Sequence, residues 1–364
     1  MKSIVYTHTG DPSVLTLVDR PVPAIGAGEV RVKVTVSGVN PTDWKARQDP
    51  GATVPVGGQV PNQDGAGVVD AVGDGVTGLK SGDRVWVWDA AWQRSDGTAQ
   101  EYVTLPAAQV VPLPDNASFD VGASMGIPAL TAHRALTAHR DTPLQLQPGA
   151  LSGLTVLVAG GAGVVGHAAI QLAVWAGATV VTTVSSEEKA ELCRAAGAHQ
   201  VIDYRRQEVV AELLRQHPGG ADIIVEVNLR ANVEHDLAVL ANDGVITVYA
   251  SDDRDTIAVP TRTAMMKNAR LQYILTYLTD HHAKMASVRA VNAAIADGAM
   301  EVGDQAGLPL HRYPLARTAD ADRACHLFSR NAFRMWTAHD TSIRTLPTTP
   351  ASEARCASAV RANG

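Results

Sequence analysis

Leu154-Thr-Val-Leu-Val-Ala-Gly-Gly-Ala-Gly-Val-Val-Gly-His-Ala-Ala-Ile170 runs from a short apolar stretch through a glycine turn into apolar residues at helical spacing. Inside the turn, Gly161, Gly163 and Gly166 satisfy G-x-G-x-x-G. The first two permit a tight turn and close approach to a pyrophosphate, and the third lets a helix pack against a strand. A bare glycine triplet also fits a flexible loop. With Thr155–Ala159 read as strand and His167–Ala176 as helix, the context selects a dinucleotide-binding turn. The free N–H groups at the helix start and its dipole then face phosphate. Gly160, Gly161, Ala162, Gly163, Val164, Val165 and Gly166 are the candidate phosphate-binding residues.

C-terminal to this turn, strand and helix patterns alternate. Thr179–Val184, Gln200–Tyr204, Ile223–Val227 and Val245–Ala250 read as strands, and Leu271–Leu278 as a sixth. Between and after them lie helices at Glu187–Ala196, Val209–Gln216, near Val233–Leu240 and at Lys284–Ala296. Such alternation predicts an α/β fold with a doubly wound parallel sheet. Toward the N-terminus, Glu29–Val36 alternates apolar and polar with period two, and Gly65–Val72 and Arg84–Trp88 are further strands between Gly/Asp turns. Short strands with tight turns predict a compact, barrel-like β-rich domain. From about Gly126 the pattern changes to alternating helix and strand, and Pro128–Thr137 reads as a helix.

The 364 residues suffice for two full cores, and a net charge of -6 offers no nucleic-acid or anionic-membrane surface. No apolar run approaches the roughly 20 residues needed to cross a bilayer. Met1-Lys-Ser-Ile-Val-Tyr6 runs straight into strand-like sequence, so no leader is expected. Cys193, Cys325 and Cys356 are too few and too scattered for a disulfide framework or a zinc lobe. A reducing, cytoplasmic setting is expected.

The end of the second strand distinguishes the cofactors. An NAD site places an acid there, roughly 20 residues past the first glycine, on the ribose 2′-OH. This chain has Thr182-Thr-Val-Ser-Ser186 and no acid before Glu187. Ser185 and Ser186 leave room for a 2′-phosphate and Lys189 supplies charge, so NADPH is the expected cofactor. Alternatively Ser185 caps the helix, Glu188 closes a capping box and Lys189 is solvated; the two roles are compatible. Tyr204 and Arg205, ending the third strand, either flank the adenosine or stand on the surface.

Further segments occur in order: Gly38-Val-Asn-Pro-Thr-Asp-Trp-Lys45, Gly67-Val-Val-Asp-Ala-Val-Gly-Asp74, Gly82-Asp-Arg-Val85, Glu101-Tyr102, Gly126-Ile-Pro-Ala-Leu-Thr-Ala132 and Gly197-Ala-His-Gln-Val-Ile-Asp-Tyr204. Together with the glycine turn they make roughly residues 1–320 resemble the medium-chain dehydrogenase/reductase superfamily, within it the zinc-free NADPH:quinone oxidoreductase (zeta-crystallin-like) branch. The resemblance implies a GroES-like β-rich catalytic domain over residues 1–125 and a Rossmann NADP-binding domain over 126–278. It also implies a return to the catalytic domain over 279–345, a cleft between the two domains, and a homodimer. The Ala/Ser/Thr-rich residues 346–364 read as a disordered tail.

Zinc-dependent members of that superfamily carry a cysteine where this chain has Asn40, and Gly-His-Glu where it has Asn62-Gln-Asp64. Neutral amides are poor zinc ligands, so no metal is expected. Alcohol oxidation then lacks its Lewis acid. Hydride transfer from NADPH to a quinone remains, with reduction of an enone or alkenal double bond, or a low-turnover NADPH-binding structural or regulatory role, as alternatives. Hydride addition to a quinone yields a phenolate-like anion of pKa about 10, which needs hydrogen-bond donors.

Asn40 is the leading candidate donor, or else an amide holding the Asn-Pro turn. Lys45 stands where relatives often have a tyrosine, and is either a donor or solvated. Asp64 either orients donors or caps backbone N–H groups. Trp44, Trp86, Trp88 and Trp92 either wall a pocket for a flat acceptor or pack the core. By resemblance Thr131 lies near the nicotinamide, and Val248–Ser251, including Ala250, with Ile274–Thr276 line its other side. Two departures stand out. Ser251-Asp-Asp-Arg-Asp255 is acidic for a pyrophosphate neighbour, although Arg254 offsets part of that charge. The expected closing Gly-x-x-Gly-Lys turn is replaced by His326-Leu-Phe-Ser-Arg-Asn-Ala-Phe-Arg-Met-Trp-Thr-Ala-His339, a degenerate-looking end in which Phe333–Thr337 is the candidate last strand.

Overall fold

The computed structural model describes residues 1–251, 256–302, 310–329 and 335–339. Strands β1 (Lys2–Val5) and β2 (Thr16–Asp19) form an antiparallel ribbon at the N-terminus. The β-rich half is organised on β3 (Glu29–Val39), in which Val30, Val32, Val34 and Val36 all face inward with the expected period of two. Helix α1 (Pro41–Gln48) follows it, then β4 (Asp64–Val72), β5 (Arg84–Val87), β6 (Tyr102–Pro106) and β7 (Val110–Pro112). One edge of β3 pairs with β4, while β6 takes only the first part of the opposite edge.

Helices α2 (Phe119–Ser124) and α3 (Ile127–Leu136) lead into the second half. There β8 (Thr155–Val158), α4 (Val164–Trp175), β9 (Thr179–Val184), α5 (Glu187–Ala195) and β10 (Gln200–Asp203) alternate as read from the sequence. Next come α6 (Val209–Gln216), β11 (Ala221–Glu226), α7 (Leu229–Val239), β12 (Leu240–Val248), α8 (Thr261–Met266), β13 (Arg270–Tyr273) and α9 (His281–Ala296). The six strands run β10-β9-β8-β11-β12-β13, all parallel. Val156, Val158, Ile223, Ile224 and Val225 are fully buried, as strands covered by helices on both faces require. The strand order reverses between β8 and β11, and that switch point opens a crevice at the carboxyl ends of the strands.

Two expectations shift. The sixth strand stops at Tyr273, and Thr276–Leu278 forms a 3-10 turn instead. The Thr276 hydroxyl bonds to that of Thr131 on α3, which draws the chain off the sheet edge. Helix α9 packs Ala290, Val291 and Ala294 in a core with α3 and α4, while its Asn292 and Lys284 reach Trp86 and Asp89 of the β-rich half. Beyond α9 come β14 (Leu310–Pro314), α10 (Thr318–Ser329) and β15 (Met335–His339). Strand β15 pairs antiparallel with the last part of β3 and parallel with β14, completing a seven-stranded sheet. It lies two residues beyond the Phe333–Thr337 expectation. Phe333, residues 252–255 with Arg254, and the tail 346–364 lie outside the described residues.

Candidate active site

The glycine turn follows β8 at the switch point. Gly160, just before the predicted triplet, holds the left-handed backbone, with φ +66°. Its N–H donates to Thr183 Oγ1 at 3.2 Å, tying the turn to β9. At Gly161 any Cβ would overlap the Thr182 hydroxyl, which itself donates to Val158 O at 2.8 Å. A Cβ at Gly166 would lie 2.6 Å from Gly160 O, so this glycine does pack the helix against the turn. Gly163 is the N-cap of α4, Ala162 is buried beside it, and Val164 and Val165 begin the helix. Their first-turn N–H groups lie where a pyrophosphate can bind.

At the end of β9 the two serines exchange the expected roles. Ser186 caps α5, its hydroxyl accepting from Lys189 N at 3.4 Å, whereas Ser185 accepts from Lys189 Nζ at 2.9 Å. Partial burial, and then the nearby Arg205, lower the ammonium pKa of Lys189. Tyr204 and Arg205 are exposed on the adjacent strand end. The Lys189 ammonium therefore stands at Ser185, an arrangement suited to phosphate.

On the nucleotide side of the cleft, Thr131 and Thr276 are buried and bonded to each other, Ile274 is buried and Ala250 half-buried. On the opposite side Asn40 caps α1. Its Nδ2 donates to Asp64 Oδ2 at 2.7 Å, and its own N–H donates to the buried Asp43 carboxyl at 2.7 Å. Asp64 Oδ2 also accepts from Ile127 N at 2.9 Å, at the start of the helix that carries Thr131. Gly126 is obligatory there, because a Cβ would overlap the Asp64 carboxyl. Burial pushes Asp64 up to about 7, partly offset by the Ile127 and Asn40 bonds. Asp64 thus connects the two walls through backbone and amide contacts.

Gln63 is turned away from any ligand role, since its Oε1 accepts from Ala91 N at 3.1 Å. Among the described residues no group of three or more His, Cys, Asp or Glu is placed to hold a metal. Lys45 is exposed and lies 5.7 Å over the Trp44 ring, while Trp44 packs with Ala321 and Cys325 of α10. Trp86 and Trp88 take the core-packing alternative. Both are buried in the core, and Trp86 Nε1 donates to Asn292 of α9 at 3.1 Å. Trp92 stacks on Tyr277 at 4.3 Å between centroids.

Three residues at this junction were missed from the sequence. Tyr277 donates to Thr42 Oγ1 at 3.2 Å, and Lys284 pairs with Asp89 at 2.7 Å in a buried salt bridge. Tyr277 had a usable signal, standing next to Thr276, but the strand reading hid the turn that brings it inward. Nothing in the local sequence marks Lys284 or Asp89 as partners, since they are far apart in the chain.

Two family profiles match the chain: the alcohol dehydrogenase GroES-like domain over residues 26–115 and the zinc-binding dehydrogenase family over residues 164–291. Human quinone oxidoreductase is 31% identical over 324 residues, covering 88% of this chain and 92% of that one. Among solved structures, an NAD-dependent alcohol dehydrogenase superposes with a TM-score of 0.78 at 26% identity, covering 93% of this chain and 99% of that one. A mycobacterial protein solved in complex with NADPH superposes with a TM-score of 0.76 at 28% identity, covering 93% and 100%.

Proposed function

Because the chain belongs to the medium-chain dehydrogenase/reductase superfamily, in its zinc-independent quinone-oxidoreductase-like branch, we propose that it is an NADPH-dependent reductase of quinones. The observation that carries this reading is the Asn40–Asp64–Ile127 connection, which sets a neutral amide opposite Thr131 and Thr276. NADPH, when bound, supplies a hydride. The turn from Gly160 to Gly166 would hold its pyrophosphate, and Ser185, Ser186 and Lys189 its 2′-phosphate. Asn40 would donate a hydrogen bond to the acceptor oxygen on which charge develops. Asp64 fixes the rotamer of that amide, and its carboxyl, poised near neutrality, can hold a proton beside it.

The missing acid at the end of β9 supports NADPH over NADH. Nicotinamide fluorescence titrations with each cofactor, followed by addition of 1,4-benzoquinone, test the reading. NADPH is expected to bind more tightly and to be oxidised on addition of the quinone. Lys189→Ala is expected to weaken NADPH about 10- to 100-fold, the size of a lost charge-assisted bond, and to leave NADH unaffected. Equal affinities in the wild-type protein would remove the phosphate pocket, and absence of quinone turnover would remove the activity.

The protein would work as a homodimer in the cytoplasm, a reducing setting consistent with the unpaired thiols of Cys193 and Cys325. No helix among the described residues is long and apolar enough to cross a membrane.

A further inference from the structure

One Asn40 N–H is committed to Asp64, Gln63 faces Ala91, and Lys45 is exposed on the outer side of α1. Tyr277 is placed differently. It directly follows Thr276, whose hydroxyl meets Thr131 on the nucleotide wall. Its own O–H reaches Thr42 Oγ1 at 3.2 Å on the opposite wall, two residues beyond Asn40 in α1. The ring is held by Trp92, stacked at an interplanar angle of 13°. Lys284 Nζ lies 5.9 Å from the ring centroid and is itself fixed by Asp89. Asp89 adopts a left-handed φ of +52°, the kind of backbone cost that persists where surrounding contacts over-determine it.

The ring is therefore held in place while the hydroxyl proton stays free to rotate. We propose that Tyr277 donates a hydrogen bond to the acceptor oxygen during reduction, an inference that rests on the quinone-reductase reading above. Thr42 holds the hydroxyl until an acceptor arrives, and a neutral partner is then exchanged for a developing oxyanion, a stronger bond. Burial, with Asp43 nearby, raises the phenol well above its ordinary range, so Tyr277 keeps its own proton. The balance is simple. One hydride brings the acceptor two electrons and a hydrogen, the reduced acceptor is a monoanion, and its remaining proton comes from water as it leaves.

The test pairs turnover with a binding readout that needs no cofactor. 4-Nitrophenol, whose phenolate absorbs in the visible, serves as a probe of oxyanion recognition and is titrated with protein across pH. Wild-type protein is expected to favour the phenolate and so to lower the probe's apparent pKa. Tyr277→Phe keeps the ring and its stack on Trp92, which an unchanged thermal midpoint would verify. It is expected to lose most of that preference and, with NADPH and 1,4-benzoquinone, about 100-fold in kcat, with cofactor affinity kept. Wild-type turnover together with an unchanged kcat and probe preference in Tyr277→Phe overturns the tyrosine and leaves the reductase reading standing. A wild-type protein that does not oxidise NADPH with the quinone overturns both.

Discussion

Asp64 is a carboxyl enclosed by protein, with one oxygen accepting from Asn40 and Ile127 and the other buried without a hydrogen-bond partner. Removing the Asn40 amide removes a bond that favours the charged carboxylate, so the Asp64 pKa rises further above about 7. For Asn40→Ala we expect benzoquinone turnover to fall about 100-fold, the usual cost of losing an oxyanion donor. NADPH affinity is expected to stay within about twofold, since no phosphate contact is touched. Steady-state kinetics and a fluorescence titration on the same preparation check both, and an unchanged kcat would remove Asn40 from the mechanism. Asn40 and Asp64 came to notice through the family resemblance, because they stand where zinc-dependent members have a cysteine and the glutamate of Gly-His-Glu. The swap of Ser185 and Ser186 was not legible, because either serine can cap a helix and only the backbone decides which one does. The tryptophans stayed open for a related reason: alternation puts Trp86 and Trp88 on one face without saying whether that face meets a cleft or a core.

At the scale of single elements, the strand–turn–helix unit was readable in order and type, although α4 begins at Val164, three residues before the expected start. Its neighbour β11 ends on a feature that sequence patterns do not reveal. Glu226, the last residue of β11, is buried with Asp236 of α7. Its carboxyl accepts from Asn228 N and from Asn232 Nδ2 at 3.1 Å, fastening the start of α7 to the strand, and Asp236 shares a hydrogen bond with it. Burial and then the Glu226 charge push Asp236 up to about 9, and burial also raises the Tyr249 phenol beside Glu226. The folded pair thus keeps a proton that unfolded aspartate releases near 4. Stability from this pair is complete below that value and falls as pH rises toward about 9. Over the mildly alkaline range the folded pair therefore holds one proton more than the unfolded chain, and stability falls with rising pH. Urea unfolding of Asp236→Asn over that window is expected to give a distinctly shallower loss than wild type. Identical slopes would show that the pair does not hold the proton.

At the scale of the whole molecule, the two-layer plan was legible because each half has its own periodicity. How the chain closes on itself was not. Joining β14 and β15 to β3 depends on contacts between residues hundreds of positions apart, as does the buried ion pair of Arg47 on α1 with Asp322 on α10. The outer edge of β13 poses the remaining question. It pairs only with β12 among the described residues, yet Met265, Met266, Tyr273, Leu275 and Leu278 around it are exposed. A monomer would leave an unpaired strand edge flanked by apolar side chains, which soluble proteins avoid. A second copy related by a two-fold axis can bring the same edge antiparallel to itself, pairing the backbone and burying both apolar sets in one isologous contact. We therefore expect light scattering to report twice the mass of one 38.2 kDa chain at micromolar concentration. Placing like charges on both sides of that axis, with Met265→Glu and Leu275→Glu together, is expected to halve the measured mass while the circular dichroism spectrum is kept. A wild-type protein that sediments as a monomer would show that β13 ends the assembly, and its apolar rim would then need another partner.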